Sequence, residues 1–353
     1  MANLRRTPLY PLHKELGAKF VPFAGWEMPV QYTSILDEAK AVRQSAGIFD
    51  VSHMGRLFVR GKNAEGFLNY LTTNNVEKLK EGQVQYSLIP NDRGGVVDDI
   101  TVYKISPEEF MLCVNAANKE KVLNHLKRFA NDYGVEIEDA SDRLIQIALQ
   151  GPRAVEILEK YLPASRELKY YTFLKEGDLI VSRTGYTGED GFEIYIPPEG
   201  GIKLFKDLIK DGAKPAGLGA RDILRIEAGY PLYGHELSEE LNPFEANLKR
   251  FIDTEKDFFG KEALLKREVK RKLRGLLLSK RQIARQGDKV YIGDNPVGEV
   301  SSGTFSPNLK KSIALAFLDK EIKIGATVEV EIRGKRITAE VVKPRFINNI
   351  PKG

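Results

Sequence analysis

The chain has 353 residues, of which 42% are hydrophobic and 29% charged, and its formal net charge is +5. This length predicts two or three domains with real cores. No apolar run is long enough to span a membrane, and no secretory signal follows the first residues, so we expect a cytoplasmic protein without a membrane partner. The single cysteine, Cys113, excludes an internal disulfide, favours a reducing compartment and is expected to be buried.

Histidine and cysteine are too few to suggest a transition-metal site, because the chain has four histidines and one cysteine. Much of the excess positive charge lies in residues 266–285. This pattern is not that of a nucleic-acid interface. The basic run from Lys266 to Arg274 is either a solvated surface or a docking patch for an acidic protein.

Before about residue 275, helices and strands are mixed without a regular βαβ alternation, which predicts an α+β fold. Helices are expected at Pro8–Leu16, Ser34–Ala46, Asn63–Leu71, Asn118–Tyr133, Pro152–Tyr161, 200–212, Leu218–Gly229 and Lys261–Arg271. Phe20–Pro29 is expected to be irregular, with Trp26 as a core anchor. After residue 275, short strands separated by turns predict a small all-β module.

The stretch from Gly94 to Tyr103 carries two adjacent acids after a pair of glycines. Two glycines permit a tight turn, and the β-branched residues after them predict a strand. Alternation places Asp98 on the apolar face and Asp99 on the face of Thr101 and Tyr103. Asp99 is therefore a candidate for proton handling or for holding a cationic nitrogen, although an acid beside such a turn also commonly bonds the turn's amides.

A second acidic position follows the glycine-rich loop Arg183–Asp190. On the next strand, alternation places Glu193 on one face with Tyr195, opposite Phe192 and Ile194. A carboxylate that points into a pocket can accept two parallel hydrogen bonds, as the N–H edge of an aminopyrimidinone ring would supply. A plain hairpin with Glu193 in solvent is the alternative.

The helix at 218–229 places Arg221 and Arg225 one turn apart on the same face. Two guanidinium groups there can bind an anionic tail or pin a carboxylate such as Glu193. A surface ladder with Asp222 and Glu227 is the alternative. The sequence contains no GxGxxG, P-loop, GxSxG or HExxH motif, so these residues offer no phosphate cradle, hydrolase elbow or zinc helix.

Several separated motifs together resemble one family across nearly the whole chain. They are FAGWEMP (23–29), FDVSHMG (49–55), GGVVDD (94–99), SRTGYTGEDGFE (182–193), GLGARD (217–222) running to Arg225 and Glu227, and SSGTFSP (301–307). The combination resembles the T-proteins of the glycine cleavage system, which are aminomethyltransferases.

This resemblance implies an enzyme of glycine catabolism. It would take an aminomethyl group from the dihydrolipoyl arm of a lipoylated H-protein and pass the one-carbon unit to tetrahydrofolate. The products would be 5,10-methylenetetrahydrofolate, ammonia and the free arm, with no metal required. The family fold implies a multi-domain cloverleaf around a central folate channel, with a C-terminal small β-barrel-like domain.

The resemblance also implies roles for particular residues. Asp99 matches the key catalytic acid, which would orient folate and stabilise a developing cation. Glu193 matches the acceptor for the pterin edge, and Arg225 matches a ligand-binding arginine. Other positions matching the folate pocket are Met54, Tyr86, Asn115 and Tyr186.

The family fold further implies three domains, two of them discontinuous. The first would combine residues 1–50 with 138–228, and the second would combine 51–137 with 229–272. Residues 273–353 would form the third.

Two other functions remain open for a chain of this fold. One is a folate-binding iron–sulfur assembly factor, whose relatives carry a cysteine-containing Lys-Gly-Cys-Tyr type motif. Here the comparable region, Asn242–Ala246, has no cysteine. The other is a folate-dependent demethylase that acts on a methylated amine or sulfonium. The folate-binding half of a flavin-dependent oxidase is disfavoured because the chain has no room for a flavin domain.

Overall fold

The structure is a computed structural model that describes residues 3–348. Its strands are β1 (Lys19–Phe23), β2 (Trp26–Gln31), β3 (Gly47–Asp50), β4 (Gly55–Arg60), β5 (Val84–Pro90), β6 (Val96–Ser106), β7 (Glu109–Val114), β8 (Glu136–Asp139), β9 (Ile145–Gln150), β10 (Phe173–Glu176), β11 (Leu179–Ser182), β12 (Gly191–Ile196), β13 (Lys214–Pro215), β14 (Arg271–Leu278), β15 (Lys289–Ile292), β16 (Asn295–Ser306), β17 (Lys311–Asp319), β18 (Thr327–Ile332) and β19 (Lys335–Val342).

The helices alternate irregularly with these strands. They are α1 (Tyr10–Glu15), α2 (Ile35–Gln44), α3 (Ala64–Leu71), α4 (Lys119–Tyr133), α5 (Ala154–Leu158), α6 (Pro198–Lys210), α7 (Leu218–Ala228) and α8 (Lys261–Lys266). Within residues 3–348, no helix is both long enough and apolar enough to cross a membrane.

A six-stranded sheet has the strand order β10-β11-β12-β9-β3-β13. All its neighbouring strands are antiparallel except β3 and β13. One face packs on α5 and α6 through a buried cluster that includes Ile147, Phe192, Ile194 and Phe205. Because side chains alternate along a strand, Glu193 on β12 must point to the opposite face.

A five-stranded antiparallel sheet has the order β5-β6-β7-β4-β8. Its apolar face packs on α3 and α4 through residues such as Phe67, Val102, Leu112 and Leu126. Strand β6 lies between β5 and β7, so its backbone is hydrogen-bonded on both sides. The acids at the start of β6 therefore sit on a rigid element.

The C-terminal strands form a closed antiparallel barrel in the order β14-β17-β16-β15-β18-β19, in which β19 pairs back with β14. Its interior is filled by apolar side chains such as Leu276, Val300, Val330 and Val341. The predicted α+β class with a C-terminal barrel is confirmed.

The prediction for Phe20–Pro29 was wrong, because this segment forms the antiparallel hairpin β1–β2. Ala24 and Gly25 make the two-residue turn, and both have positive φ. Prolines are tolerated because the ribbon has only two strands, so unpaired N–H positions face outward. Trp26 is half-buried rather than a core anchor, with the Arg5 guanidinium 4.2 Å above its ring.

Two helices are about half as long as predicted, α5 and α8. Helix α5 starts at Ala154, so Pro152 precedes the helix instead of occupying its first turn. Helix α8 ends at Lys266, and the residues from Arg271 onward belong to barrel strand β14. Here the pairing of Arg271 with β17 prevailed over the helical preference of the Lys- and Glu-rich sequence.

Candidate functional site

A cavity of about 1110 Å³ lies between the hairpin, both sheets, α7 and the C-terminal segment. All seven site residues predicted from the sequence line it: Met54, Tyr86, Asp99, Asn115, Tyr186, Glu193 and Arg225. Residues that are up to 171 positions apart in sequence thus meet in one space, from Met54 to Arg225.

Asp99 faces the cavity from β6, the strand that follows the turn Asn91–Gly95. Gly94 has a φ of +78°, and a side chain on Gly95 would lie 1.7 Å from the Glu239 carbonyl oxygen. Both glycines are therefore required by the backbone, one for its conformation and one for close packing. The turn and the loop at Glu239 together set the start of β6.

Two side chains donate hydrogen bonds to the Asp99 carboxylate. The Tyr86 hydroxyl donates to Oδ2 at 3.0 Å, and the Asn115 amide donates to Oδ1 at 2.8 Å. Tyr86 is itself held edge-on against Phe251, with the ring centroids 4.7 Å apart. Asp99 is thus an oriented carboxylate with its remaining lone pairs free for a ligand.

Asp98 is fully buried on the opposite side of the strand, as alternation predicts. It accepts hydrogen bonds from the backbone N–H of Asn115 and from the side-chain amides of Asn115 and Asn118, at 2.7 to 2.9 Å. Its role in the fold is to bind the segment that leads into α4. The same Asn115 amide therefore bridges both acids.

Burial raises the pKa of both carboxyl groups above the usual range. For Asp98 the charge of Asp99 adds to this effect, while the Asn115 and Asn118 donors oppose it. For Asp99 the donors from Tyr86 and Asn115 oppose it. A carboxyl group whose pKa is raised towards neutrality can exchange a proton during a reaction.

Glu193 faces the same cavity from β12 and is only 9% exposed. The Gln146 amide donates to its Oε1 at 3.1 Å, and the Thr184 hydroxyl donates to Oε2 at 2.7 Å. Glu193 does not lie in solvent, and neither arginine of α7 pins it. Both of its oxygens retain a lone pair for a ligand.

Arg225 lines the cavity but is almost fully engaged within the protein. Its guanidinium donates to the side chains of Asp222, Glu236 and Ser302 and to the Tyr230 carbonyl, and it is 1% exposed. The expected ion pair between Arg225 and Asp222 is present, whereas Glu227 forms its ion pair with Arg43 of α2. The surroundings of Arg225 are those of a structural cation that joins α7 to the barrel.

Arg221 is the cation of α7 that lacks a protein carboxylate. Among the described residues it forms no ion pair within 4.0 Å, and its Nη1 is buried without a hydrogen-bond partner. Its guanidinium lies 4.8 Å from the centre of the Tyr186 ring, and burial lowers its pKa. The family resemblance did not select Arg221, whereas helical spacing had already made it a candidate beside Arg225.

Aromatic and apolar groups complete the walls. Tyr186 stacks on Tyr230 with ring centroids 5.8 Å apart and donates to the Pro231 carbonyl. Met54 is half-buried beside His53, whose pKa is lowered by burial and by the charge of Arg221. His53 is therefore a neutral wall residue that sequence reasoning did not select.

No group of three or more possible metal ligands occurs among residues 3–348. Cys113 is buried, as predicted, and its thiol donates to the Gln146 side-chain oxygen at 3.5 Å. The polar groups of the cavity therefore include two oriented carboxylates and the buried Arg221 guanidinium, beside aromatic surfaces, and Arg250 and Arg345 also line it. Such a site can bind a planar heterocycle with adjacent N–H donors and stabilise positive charge.

Comparison with known proteins assigns nearly the whole chain to two family models. Residues 9–256 match the GCVT N-terminal domain, and residues 271–348 match the glycine cleavage T-protein C-terminal barrel domain. The second match coincides with the six-stranded barrel.

Curated relatives match over almost their full lengths. An aminomethyltransferase of Aquifex aeolicus is 55% identical over 343 residues, covering 97% of this chain and 95% of the relative. One of Thermus thermophilus is 47% identical over 349 residues, covering 98% of this chain and 99% of the relative.

A crystal structure of the glycine cleavage system aminomethyltransferase T from Bartonella henselae matches the fold with a TM-score of 0.93. The two chains are 34% identical, and each is covered over 99% of its length. The chain therefore belongs to the glycine cleavage T-protein family, in which the matching curated relatives are named aminomethyltransferases.

Proposed function

We propose that this protein transfers the one-carbon unit of an aminomethyl-dihydrolipoyl arm, carried by the H-protein, to tetrahydrofolate. The products are 5,10-methylenetetrahydrofolate, ammonia and the free dihydrolipoyl arm. The observation that carries the proposal is the pair of oriented carboxylates, Asp99 and Glu193, on the walls of one cavity. Family membership supports the reaction class.

The cavity suits a reduced folate. Its volume of about 1110 Å³ is at the upper end of small-molecule pockets, which leaves room for a second reactant. Glu193 would accept from the ring N–H and the exocyclic amine of the pterin. Arg221 would donate to a ligand oxygen and thereby gain the partner that it lacks in the protein.

Asp99 would perform two tasks. Its fixed carboxylate would orient the folate nitrogen that attacks, and it would stabilise the positive charge that develops on the transferred carbon as the C–S bond breaks. The overall reaction moves two N–H protons from folate, one to ammonia and one to the thiol. Because burial raises the pKa of Asp99, this group can carry one of them.

Arg225 would act indirectly. Since it is bound to Glu236 and Ser302, it would hold α7 and thus Arg221 in place rather than contact the ligand. Tyr86 and Asn115 would orient Asp99, and Tyr186 and Met54 would contribute walls.

We also propose that the chain divides into three domains. Strands β3 and β9 to β13 lie within residues 1–50 and 138–228 and form one sheet, which supports the first discontinuous domain. Strands β4 to β7 lie within 51–137 and support the second, to which residues 229–272 would be added. Residues 273–353 would make up the third, whose described part is the barrel.

Formation of 5,10-methylenetetrahydrofolate from aminomethylated H-protein and tetrahydrofolate tests the function. We expect catalytic turnover that depends on both substrates, and Glu193→Ala should weaken tetrahydrofolate binding without lowering the melting temperature much. Tight folate binding with no turnover from this donor would contradict the proposal. Turnover with a methylated amine instead would identify a demethylase.

A further inference from the structure

A closed ring of hydrogen-bonded side chains lies behind the cavity face of Glu193. Its members, in order, are Glu193, Gln146, Tyr195, Tyr103, Ser182 and Thr184. None is more than 9% exposed. Of the six, only Glu193 lines the cavity, so the others act on a ligand only through it.

One side of the ring is a single amide. The Nε2 of Gln146 lies 3.1 Å from Glu193 Oε1 and 3.3 Å from the Tyr195 hydroxyl. Its Oε1 accepts from the Cys113 thiol at 3.5 Å. This contact fixes the orientation of the amide, since the nitrogen with two protons must face the carboxylate and the phenol.

The other side is a chain of hydroxyl groups. The oxygens of Tyr195 and Tyr103 lie 2.9 Å apart, and Tyr103 and Ser182 lie 3.0 Å apart. Ser182 and Thr184 are 2.7 Å apart, and Thr184 lies 2.7 Å from Glu193 Oε2.

When all six hydrogen bonds of the ring form, only one order of protons is possible, although the Glu193 carbonyl oxygen, 3.4 Å from the Ser182 hydroxyl, is a second acceptor for Ser182. An ionised carboxylate only accepts, so Thr184 must donate to Glu193, and each hydroxyl has a single proton to give. The donation therefore runs from Gln146 through the two tyrosines and Ser182 to Thr184. Both ends of the chain deliver a donor to Glu193, one to each oxygen.

We propose that Gln146 is a positioning residue that holds the Glu193 carboxylate with its free lone pairs facing the cavity. The site would then select a heterocycle that presents a ring N–H next to an exocyclic amine. It would reject an analogue that carries a carbonyl at the amine position. This inference rests on the proposed folate role of Glu193.

The selectivity follows from pairing. A carbonyl facing an acceptor-only carboxylate leaves two buried acceptors opposed, and buried polar groups without partners are strongly unfavourable. Loss of either donor to Glu193, Gln146 or Thr184, would release one carboxylate oxygen, so the two free lone pairs would no longer be held facing the two N–H groups.

Titration calorimetry under anaerobic conditions tests the inference, with tetrahydrofolate and with an analogue that carries a carbonyl at the amine position. Gln146→Leu should weaken tetrahydrofolate binding about tenfold, because one hydrogen bond to the carboxylate is lost. The preference for tetrahydrofolate over the analogue should fall by a similar factor, because the carboxylate is no longer held facing both N–H groups.

Thr184→Val removes the second donor to Glu193 without changing the side-chain shape and should lower the same preference. Gln150→Leu is the matched control. Gln150 is a buried glutamine on the same face of β9, and its amide donates to the Thr184 and Phe192 carbonyls rather than to Glu193. Its loss should lower the melting temperature and leave the preference for tetrahydrofolate over the analogue unchanged.

Failure of the proposed function and failure of the positioning role give different results. A wild-type protein that does not bind tetrahydrofolate overturns the proposed function itself. Wild-type binding, with an unchanged affinity and an unchanged preference over the analogue in Gln146→Leu, overturns the positioning role of Gln146. If Gln146→Leu shows no folding transition, an unchanged preference in Thr184→Val overturns the inference instead.

Discussion

The side-chain amide of Asn115 donates a hydrogen bond to Oδ1 of Asp99 at 2.8 Å. This is the shorter of the two side-chain hydrogen bonds that the Asp99 carboxylate receives. The same amide lies 2.8 Å from Oδ1 of Asp98. Asn115 thus links the cavity carboxylate to the buried one that fixes the segment before α4. The geometry of Asp99 depends on this residue as much as on its own strand.

Asn115→Leu should lower kcat by about 10- to 100-fold, the range expected when a hydrogen bond to a charged group is lost. Burial already raises the pKa of Asp99, and loss of the donor removes stabilisation of the ionised form, so the pKa rises further. Activity that requires ionised Asp99 is lost as pH falls through this pKa. The acid limb of kcat against pH should therefore move to higher pH.

Asn118→Ala is the control for this shift. Asn118 donates to Asp98 alone, so its removal should cost stability while the acid limb does not move upward. Equal upward shifts in both variants would show that Asn115 acts through Asp98 and not through Asp99.

Arg221→Met and Arg225→Met should have opposite consequences. Arg221 has no protein carboxylate partner, so its loss should weaken tetrahydrofolate binding at least tenfold while the melting temperature stays the same or rises. Loss of Arg225 leaves the fully buried Glu236 unpaired, which costs about 3–5 kcal/mol of stability. Calorimetric folate titration and thermal unfolding of both variants separate the two roles.

These two arginines mark a limit of sequence reasoning. Helical spacing correctly places them on one face, but the partners of Arg225 include Glu236 and Ser302, the latter 77 residues away on the barrel. Spacing along a helix cannot show which of two equivalent cations a distant segment will neutralise. Both arginines line the cavity, and Arg221 is the one without a protein carboxylate partner.

Strand alternation was more informative. It placed Asp99 and Glu193 on pocket-facing sides, and both do line the cavity. The same argument applied to β9 would have found Gln146 and Gln150, two polar side chains on one face of an otherwise apolar strand. The hairpin β1–β2 was missed because two prolines conceal the strand pattern, although positive φ at Ala24 and Gly25 makes the turn.

The basic run is only partly free to bind an acidic partner. Arg271 binds the buried Glu245, and Arg267 donates to the Gly94 and Glu240 carbonyls. Lys266 and Lys270 are exposed by more than 70%, and Lys272 is exposed. A docking test should therefore reverse the three lysines and spare the arginines.

Lys266→Glu/Lys270→Glu/Lys272→Glu should raise KM for the H-protein several-fold with little change in kcat, because opposite charges steer encounter. The effect should shrink above about 0.5 M salt, where screening is strong. If the variant has the KM of the wild type at low salt, the basic run is a solvated surface and not a docking patch.

The most direct test of the account is single-turnover formation of 5,10-methylenetetrahydrofolate by the wild type and Asp99→Asn, with tetrahydrofolate affinity measured on the same samples. We expect Asp99→Asn to lose about 10³-fold or more in rate, since an oriented charge that acts on the transition state is removed. Folate affinity and melting temperature should change little. A variant that binds folate and turns over at near the wild-type rate would remove Asp99 from the mechanism and contradict the account.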